Sequence, residues 1–169
     1  KVAPADVEAA VRKTMDPLER ANGEPPAAVH EALQVAMHNY AGMIRFEDEL
    51  ATVVKELAIL QERARNVKAP GTTRFNPGWH LALDLHNMLI GSEAIARSAS
   101  LRAESRGGHT RGDFPETDKG KWSKVNIVCR KGPDGRMQVE TVPLPEWPAE
   151  VRATIESDVE TIATAEVKA

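Results

Sequence analysis

The sequence contains few aromatic residues and almost no cysteine. Only 4% of its 169 residues are aromatic, and Cys129 is the one cysteine. A single cysteine excludes an internal disulfide and any zinc site that needs several cysteines. It also favours a reducing, cytoplasmic setting. Because so few rings are present, aliphatic side chains must fill most of the core, a composition better suited to packed helices than to a β-sandwich.

The chain also lacks long apolar runs and a strong charge of either sign. No stretch approaches the roughly 20 apolar residues of a membrane-spanning helix, so we expect no direct membrane insertion. The net charge is −3, with +3 over residues 71–142 and −4 over residues 143–169. Nucleic acid is not an expected partner, since its binding needs a strongly basic face. The chain begins at Lys1 with neither an initiator Met nor a basic-then-apolar leader, so we expect a piece of a longer protein and no signal peptide.

Helical periodicity occurs in four segments. Apolar residues recur three and four positions apart over about residues 4–19, 26–45, 46–66 and 79–104. In the third segment they form a bundle-like seam of Leu50, Val53, Leu57, Leu60 and Ala64. The apolar stripe of the first segment includes Val7 and Val11, and that of the fourth includes Ile95. Because each apolar stripe must be buried against another, the last three segments predict a three-helix bundle. We expect Gly107 and Gly108 to end the fourth helix.

The composition changes after residue 108. Short strands are predicted over Val125–Arg130 and Met137–Val142, and the turn-rich segment between them predicts a β-hairpin. Three prolines then form a stiff connector to a possible final helix over residues 149–167. The expected fold is therefore mainly α, with a helical bundle over residues 1–108. An extension over residues 109–169 contains the hairpin, at about residues 125–142.

Known signatures of catalysis and cofactor binding do not occur in the sequence. Neither GxGxxG nor GxxxxGK[ST] is present, so no cofactor-binding residue is assigned. The five histidines form no HExxH motif, and no metal ligand is expected. Cys129 lies in a predicted strand beside no obvious base, which predicts a buried, unreactive thiol. We assign no catalytic residue, and we give the tripeptide Arg111-Gly112-Asp113 no adhesion role.

The densest polar segment is ESRGGHTRGDFP, residues 104–115. Arg102 and Arg106 are expected to share a helix face just before the Gly-Gly pair. One interpretation is an anion or dicarboxylate site, because arginines bind carboxylates through two parallel hydrogen bonds. The interpretation favoured by the residues is a polar cluster within or between domains, in which arginines satisfy helix-terminal carbonyls and pair with Glu104, Asp113, Glu116 and Asp118. The candidate cluster consists of Arg102, Glu104, Arg106, His109, Arg111 and Asp113.

Two longer runs carry a family resemblance. They are LQVAMHNYAGMIRFEDELATVVKELAILQER (Leu33–Arg63) and ALDLHNMLIGSEAIARSASLRAESRGGHTRGDFPETDKGKW (Ala82–Trp122). Over about residues 26–142 the chain resembles the C-terminal domain of the flavoprotein subunit of succinate dehydrogenase and fumarate reductase. The resemblance implies a spectrin-repeat-like three-helix bundle. It also implies a parent FAD-dependent oxidoreductase that interconverts succinate and fumarate and passes electrons to an iron–sulfur subunit and quinone.

The resemblance places the chemistry outside this domain. In the family, FAD and the dicarboxylate are held by the flavin-binding and capping domains, so the fragment alone is expected to bind no cofactor and to be inactive. Its implied partners are those two domains and the iron–sulfur subunit. The implied location is cytoplasmic, at the inner face of the membrane through partner subunits. Our hypothesis is that the arginine-rich cluster pins the end of the bundle to the flavin domain.

The resemblance leaves two alternatives open and shows two departures. The chain could be the equivalent domain of L-aspartate oxidase or a related flavoprotein, or a free-standing helical interaction module. Gly112 stands where the family commonly has glutamate, and Thr117 where it commonly has arginine. We expect these departures to weaken the ion pairs around Arg111 and Asp113.

Overall fold

The computed structural model describes residues 2–155 of the chain. Four helices and four strands are arranged along it. They are α1 (Pro4–Glu19), α2 (Pro26–Tyr40), β1 (Ile44–Arg45), α3 (Glu47–Ala64), α4 (Pro77–Leu101), β2 (Thr110–Arg111), β3 (Val125–Lys131) and β4 (Met137–Pro143). A short 3-10 turn, Trp122–Lys124, precedes β3, and residues 149–155 are again helical. The remainder of the predicted final helix lies outside the described residues.

Helices α2, α3 and α4 pack against one another as a three-helix bundle. The seam predicted on α3 is confirmed: Leu50, Val53, Leu57 and Leu60 are buried, and Ala64 is partly buried against the same core. Facing residues complete the core from α2 and α4: Val29, Leu33, Ala36, Ala82, Leu85, Leu89, Ala96 and Ala99. The predicted fold class, mainly α with a C-terminal hairpin, is therefore confirmed. Ile95, expected in the α4 stripe, is instead exposed.

Helix α1 begins and ends where its periodicity predicts, but it does not join the core along its length. It is fastened near its C-terminal end, where the indole Nε1 of Trp79 donates to the carbonyl of Thr14 at 2.8 Å. The carbonyl of Pro17 accepts from the backbone N–H of Ala69 at 2.8 Å. Val7 and Val11, on the predicted apolar stripe, remain exposed.

The prediction that Gly107 and Gly108 end α4 is wrong. The helix ends at Leu101, and Arg102 is already extended. The side chain of Arg111 caps the helix from the next segment, so no left-handed glycine is needed there. Gly107 uses its positive φ of 58° in a tight turn between Arg106 and His109, which exchange two backbone hydrogen bonds. Arg102 and Arg106 therefore do not share a helix face.

The hairpin pairs β3 and β4 in antiparallel register, from Val125 opposite Pro143 to Lys131 opposite Met137. It lies against α4. Cys129 is exposed, so the prediction of a buried thiol is wrong. Its Sγ is 3.3 Å from the Oγ of Ser98. A two-stranded sheet resting on a single helix leaves the margin of the contact open to solvent, and Cys129 lies at that margin.

Candidate functional site

The α2–α3 connector meets the segment after α4 through a parallel pair of very short strands. Ile44 pairs with Thr110 and Arg45 with Arg111. The backbone N–H of Gly112 extends the pairing by donating to the carbonyl of Arg45 at 2.9 Å. This pairing brings residues separated by more than sixty positions into one polar cluster at the end of the bundle. Strands of two residues have no alternation that sequence patterning can detect.

Arg111 is the centre of this cluster and is fully buried. Its Nε and Nη2 donate to the two carboxylate oxygens of Asp113, both at 2.7 Å. Nη2 also donates to Oε2 of Glu47 at 2.9 Å. Nη1 donates to the carbonyls of Ala99 at 2.9 Å and Ser100 at 3.1 Å, the last turn of α4. All five N–H groups of the guanidinium thus have partners in the same chain, and none is left for a ligand.

The acids around Arg111 tie together the two helices that begin and end beside it. Asp113 Oδ2 accepts from the backbone N–H of Glu47, the first residue of α3, at 3.0 Å. Glu47 Oε1 accepts from the hydroxyl of Ser100 at 2.7 Å. The hydrogen bonds from Arg111 lower the pKa of Asp113 to about 2. A carboxylate at the start of α3 and a guanidinium at the end of α4 also match the polarity of the two helix termini.

Glu104 is a second buried charge, with 1% of its surface exposed. Its Oε1 accepts from Arg102 at 2.7 Å and from Arg106 at 2.9 Å. Its Oε2 accepts from Arg106 at 3.1 Å and from the backbone N–H of Asp118 at 2.8 Å. Chiefly because of the hydrogen bonds from Arg106, the pKa of Glu104 falls to about 2. This carboxylate fixes the loop after α4 to residue 118, and it is no candidate for proton transfer near neutral pH.

His109 bridges the connector and the end of α4. Its Nδ1 lies 3.0 Å from Nη1 of Arg45, and its Nε2 lies 3.0 Å from the carbonyl of Arg102. A guanidinium can only donate, so Nδ1 is the acceptor and the ring proton is on Nε2. Burial, followed by the positive charges of Arg45, Arg111 and Arg102, lowers the pKa of His109, although its bond to the Arg102 carbonyl opposes this.

The structure brings all six predicted cluster residues together. Sequence reasoning missed Arg45 and Glu47, which lie 64 positions from His109 and Arg111. The acidic start of α3 was the available signal for Glu47. Glu116 and Asp118, expected to pair through carboxylates, contribute backbone groups to Ser105, Arg106 and Glu104.

The ion pairs of Arg111 with Asp113 and Glu47 are complete in this chain, which has both departures from the family pattern. Gly112 lies beneath the ring of Phe46, where a Cβ would come within 2.3 Å of the ring. Thr117 donates its hydroxyl to the carbonyl of Ser105 at 2.6 Å. Both residues thus have local contacts of their own, and Arg111 keeps its full set of partners.

Other kinds of site have little support in residues 2–155. No group of three or more His, Cys, Asp and Glu side chains is placed there to hold a metal ion. The helices in this range are all too short or too polar to cross a membrane. A surface groove lined by Pro25, Pro26, Pro70, Pro77 and Leu81, among others, includes none of the cluster residues.

The fold and the cluster together define a helical structural domain, in which the buried Arg111 bonds both to Glu47 at the start of α3 and to the carbonyls at the end of α4. The family model described as fumarate reductase flavoprotein C-term matches residues 30–160. The chain belongs to this family, and the resemblance seen in its two long motifs is confirmed.

Curated relatives are much longer than this chain. It is 35% identical over 130 residues to the succinate dehydrogenase flavoprotein subunit of Coxiella burnetii, covering 76% of this chain and 22% of that protein. It is 33% identical over 129 residues to the fumarate reductase flavoprotein subunit of Mycobacterium tuberculosis, covering 75% of this chain and 22% of that protein. The chain therefore spans about a fifth of the length of these relatives.

Solved structures share the fold over most of the chain. The Mycobacterium smegmatis Sdh1 complex in its apo form matches with a TM-score of 0.78 and 43% identity, covering 88% of this chain and 25% of that one. The adenylylsulfate reductase of Archaeoglobus fulgidus matches with a TM-score of 0.75 and 23% identity, covering 88% of this chain and 26% of that one. At that identity the second match shows a common fold alone.

Proposed function

We propose that this chain is the non-catalytic C-terminal domain of an FAD-containing subunit that interconverts succinate and fumarate, and that it buttresses the flavin-binding domain. The observation that carries the proposal is that all five N–H groups of the Arg111 guanidinium donate to other groups of this chain. An arginine that binds a dicarboxylate must offer at least one pair of free donors. Arg111 offers none, so its role is structural.

FAD does not fit the residues of this domain. A flavin dinucleotide needs its pyrophosphate at a helix N-terminus with free N–H groups and little nearby negative charge. No GxGxxG turn occurs before α1, α2, α3 or α4, and α3 begins with Glu47, Asp48 and Glu49. The proposal therefore assigns FAD, the dicarboxylate and the proton-transferring groups to other parts of the parent subunit.

An exposed apolar group surrounds the β1–β2 pair and supplies a docking face for the flavin-binding domain. The docking face consists of Met43, Ile44, Phe46 and Phe114, which are 86%, 61%, 41% and 43% exposed. Large apolar side chains grouped on a surface mark contact sites. The ion pairs of the buried Arg111 with Asp113 and Glu47 fix the backbone segments that carry these residues. The occupant is the remainder of the same subunit, since the match to this chain accounts for only 22% of the length of each relative.

We further propose that the parent subunit works in a complex with an iron–sulfur subunit and is held at the inner face of a membrane through other subunits. Two solved structures similar to this chain support this, one described as an Sdh1 complex and one as a quinol-fumarate reductase with menaquinol molecules. The role of this domain there is to stabilise the flavin-bearing body, while electron transfer takes place elsewhere.

The proposal is tested by charging the docking face in the full-length subunit. Met43→Glu places a carboxylate in the proposed contact, and Val35→Glu makes the same change at an exposed position on the outer side of α2. We expect Met43→Glu to lower the temperature of flavin release while KM for succinate stays unchanged, and Val35→Glu to leave both unchanged. A second variant, Arg106→Ala, is expected to lower flavin retention in the same way. A change in KM alone in either Met43→Glu or Arg106→Ala would contradict the proposal.

A further inference from the structure

His109 is surrounded by positive charge from every element packed against it. Arg45 approaches from β1, Arg102 from the end of α4 and Arg111 from β2. The carboxylates nearby bond to the arginines: Glu104 to Arg102 and Arg106, and Asp113 to Arg111. Among residues 2–155, the ring nitrogens of His109 bond only to the Arg45 guanidinium and the Arg102 carbonyl.

Neutral and protonated His109 differ in whether they can make this bridge. The neutral ring accepts from Arg45 through Nδ1 and donates to the Arg102 carbonyl through Nε2. Protonation adds a hydrogen to Nδ1, so two donors and two positive charges face each other across 3.0 Å. The Arg102 contact survives protonation, and the Arg45 contact does not. The bridge between the connector and the end of α4 therefore exists only when the ring is neutral.

We propose that His109 is a pH-sensitive latch, which adds a bond between the α2–α3 connector (residues 42–46) and the end of α4 when neutral and loses that bond when protonated, so that the pairing of the connector with β2 is weakened. The connector carries Met43, Ile44 and Phe46, so the loss of this bond loosens an exposed apolar segment while the bundle stays folded. The ion pairs of Arg111 and Glu104 persist throughout, because the pKa values of their carboxylates lie far below that of a histidine. The latch is a property of the chain itself and does not depend on the proposed function.

The sign of the pH dependence follows from the neutral bridge. Burial lowers the pKa of His109 from its ordinary value of 6.5. Because the folded state disfavours protonation of His109, the hydrogen bond between Arg45 and His109 makes its full contribution to the stability of the fold above pH 6.5. That contribution is lost as the pH falls below 6.5 towards the pKa of the folded state.

The test is a pH titration of the full 169-residue chain by NMR. The ring of His109 is followed together with hydrogen exchange at the amide of Gly112, which donates to the Arg45 carbonyl. We expect the pKa of His109 below the ordinary value. We also expect exchange at Gly112, corrected for its intrinsic pH dependence, to rise by about tenfold from pH 7.5 to pH 5, because the hydrogen bond from Arg45 is lost when His109 is protonated.

Two variants separate the latch from general acid destabilisation. His109→Gln removes the titrating group, and we expect the excess exchange at Gly112 on acidification to disappear. His86→Gln is the matched control: burial also lowers the pKa of His86, but that residue lies on α4 near Lys13 and Arg65. This control should keep the full response. The proposal is overturned if wild-type Gly112 stays equally protected down to pH 5, or if His109→Gln keeps the response.

Discussion

Arg111 and Asp113 form a two-pronged ion pair in which both hydrogen bonds are 2.7 Å long. The two residues are only two positions apart, yet their contacts reach the start of α3 and the end of α4. A short loop thereby joins two helices that are far apart in sequence. Through these two residues, the cluster joins the start of α3 to the end of α4.

Arg111→Lys tests this role. Lysine keeps the charge but cannot reproduce the planar five-donor geometry, so the α4 carbonyls and part of Asp113 lose their buried partners. We expect a loss of about 3–5 kcal/mol in the free energy of unfolding, measured by urea denaturation. Arg130→Ala is the control, because Arg130 pairs with Glu140 on the exposed hairpin surface, where a change of at most about 1 kcal/mol is expected. Equal losses in the two variants would refute this role.

Gly112→Ala tests the contact between Gly112 and Phe46. The added Cβ would lie 2.3 Å from the Phe46 ring, which should lower the free energy of unfolding by about 1–3 kcal/mol. Gly108→Ala, where a Cβ meets nothing within 4 Å, should change it by no more than about 0.5 kcal/mol.

The clash at Gly112 should also depend on Phe46. In a double-mutant cycle, Gly112→Ala is expected to cost less when Phe46 is already alanine, because the colliding ring is gone. Additive losses in unfolding free energy would show that some other contact excludes a side chain at position 112.

Glu104→Gln is expected to change the acid stability of the domain. The ordinary pKa is 4.5 and the folded value is about 2, so the carboxylate stabilises the fold above pH 4.5 and this contribution falls away as the pH drops towards 2. The substitution should lower the free energy of unfolding by about 3–5 kcal/mol at neutral pH, since Arg102 and Arg106 lose a buried, charged partner. The difference between variant and wild type should shrink below pH 4.5, as measured by urea denaturation across pH. A difference that is constant with pH would contradict the assignment.

The helices could be predicted because they depend on local patterns. The stripe Leu50, Val53, Leu57 and Leu60 repeats at helical spacing and is buried as expected. The hairpin could be predicted for the same reason, since two short strands flank a glycine-rich turn. The end of α4 could not, because its cap is the side chain of Arg111, ten residues beyond Leu101. A cap supplied from another segment leaves no local signal.

Only some members of the cluster could be predicted from the sequence. The residues from Arg102 to Asp113 lie close together in the chain, so their composition revealed them. Arg45 and Glu47 join them through strands of two residues each, which no periodicity marks. The exposure of Cys129 was missed for a related reason: strand patterning does not show how far a hairpin overlaps its supporting helix.

The central claim is that this domain supports a flavoprotein without holding its flavin. The most direct measurement is the flavin absorbance of the purified 169-residue chain after incubation with FAD and gel filtration, with succinate-dependent dye reduction measured on the same sample. The full-length subunit, treated identically, serves as the positive control. We expect a folded helical chain that retains no flavin and reduces no dye. Stoichiometric flavin on the isolated chain, or dye reduction by it, would contradict the account.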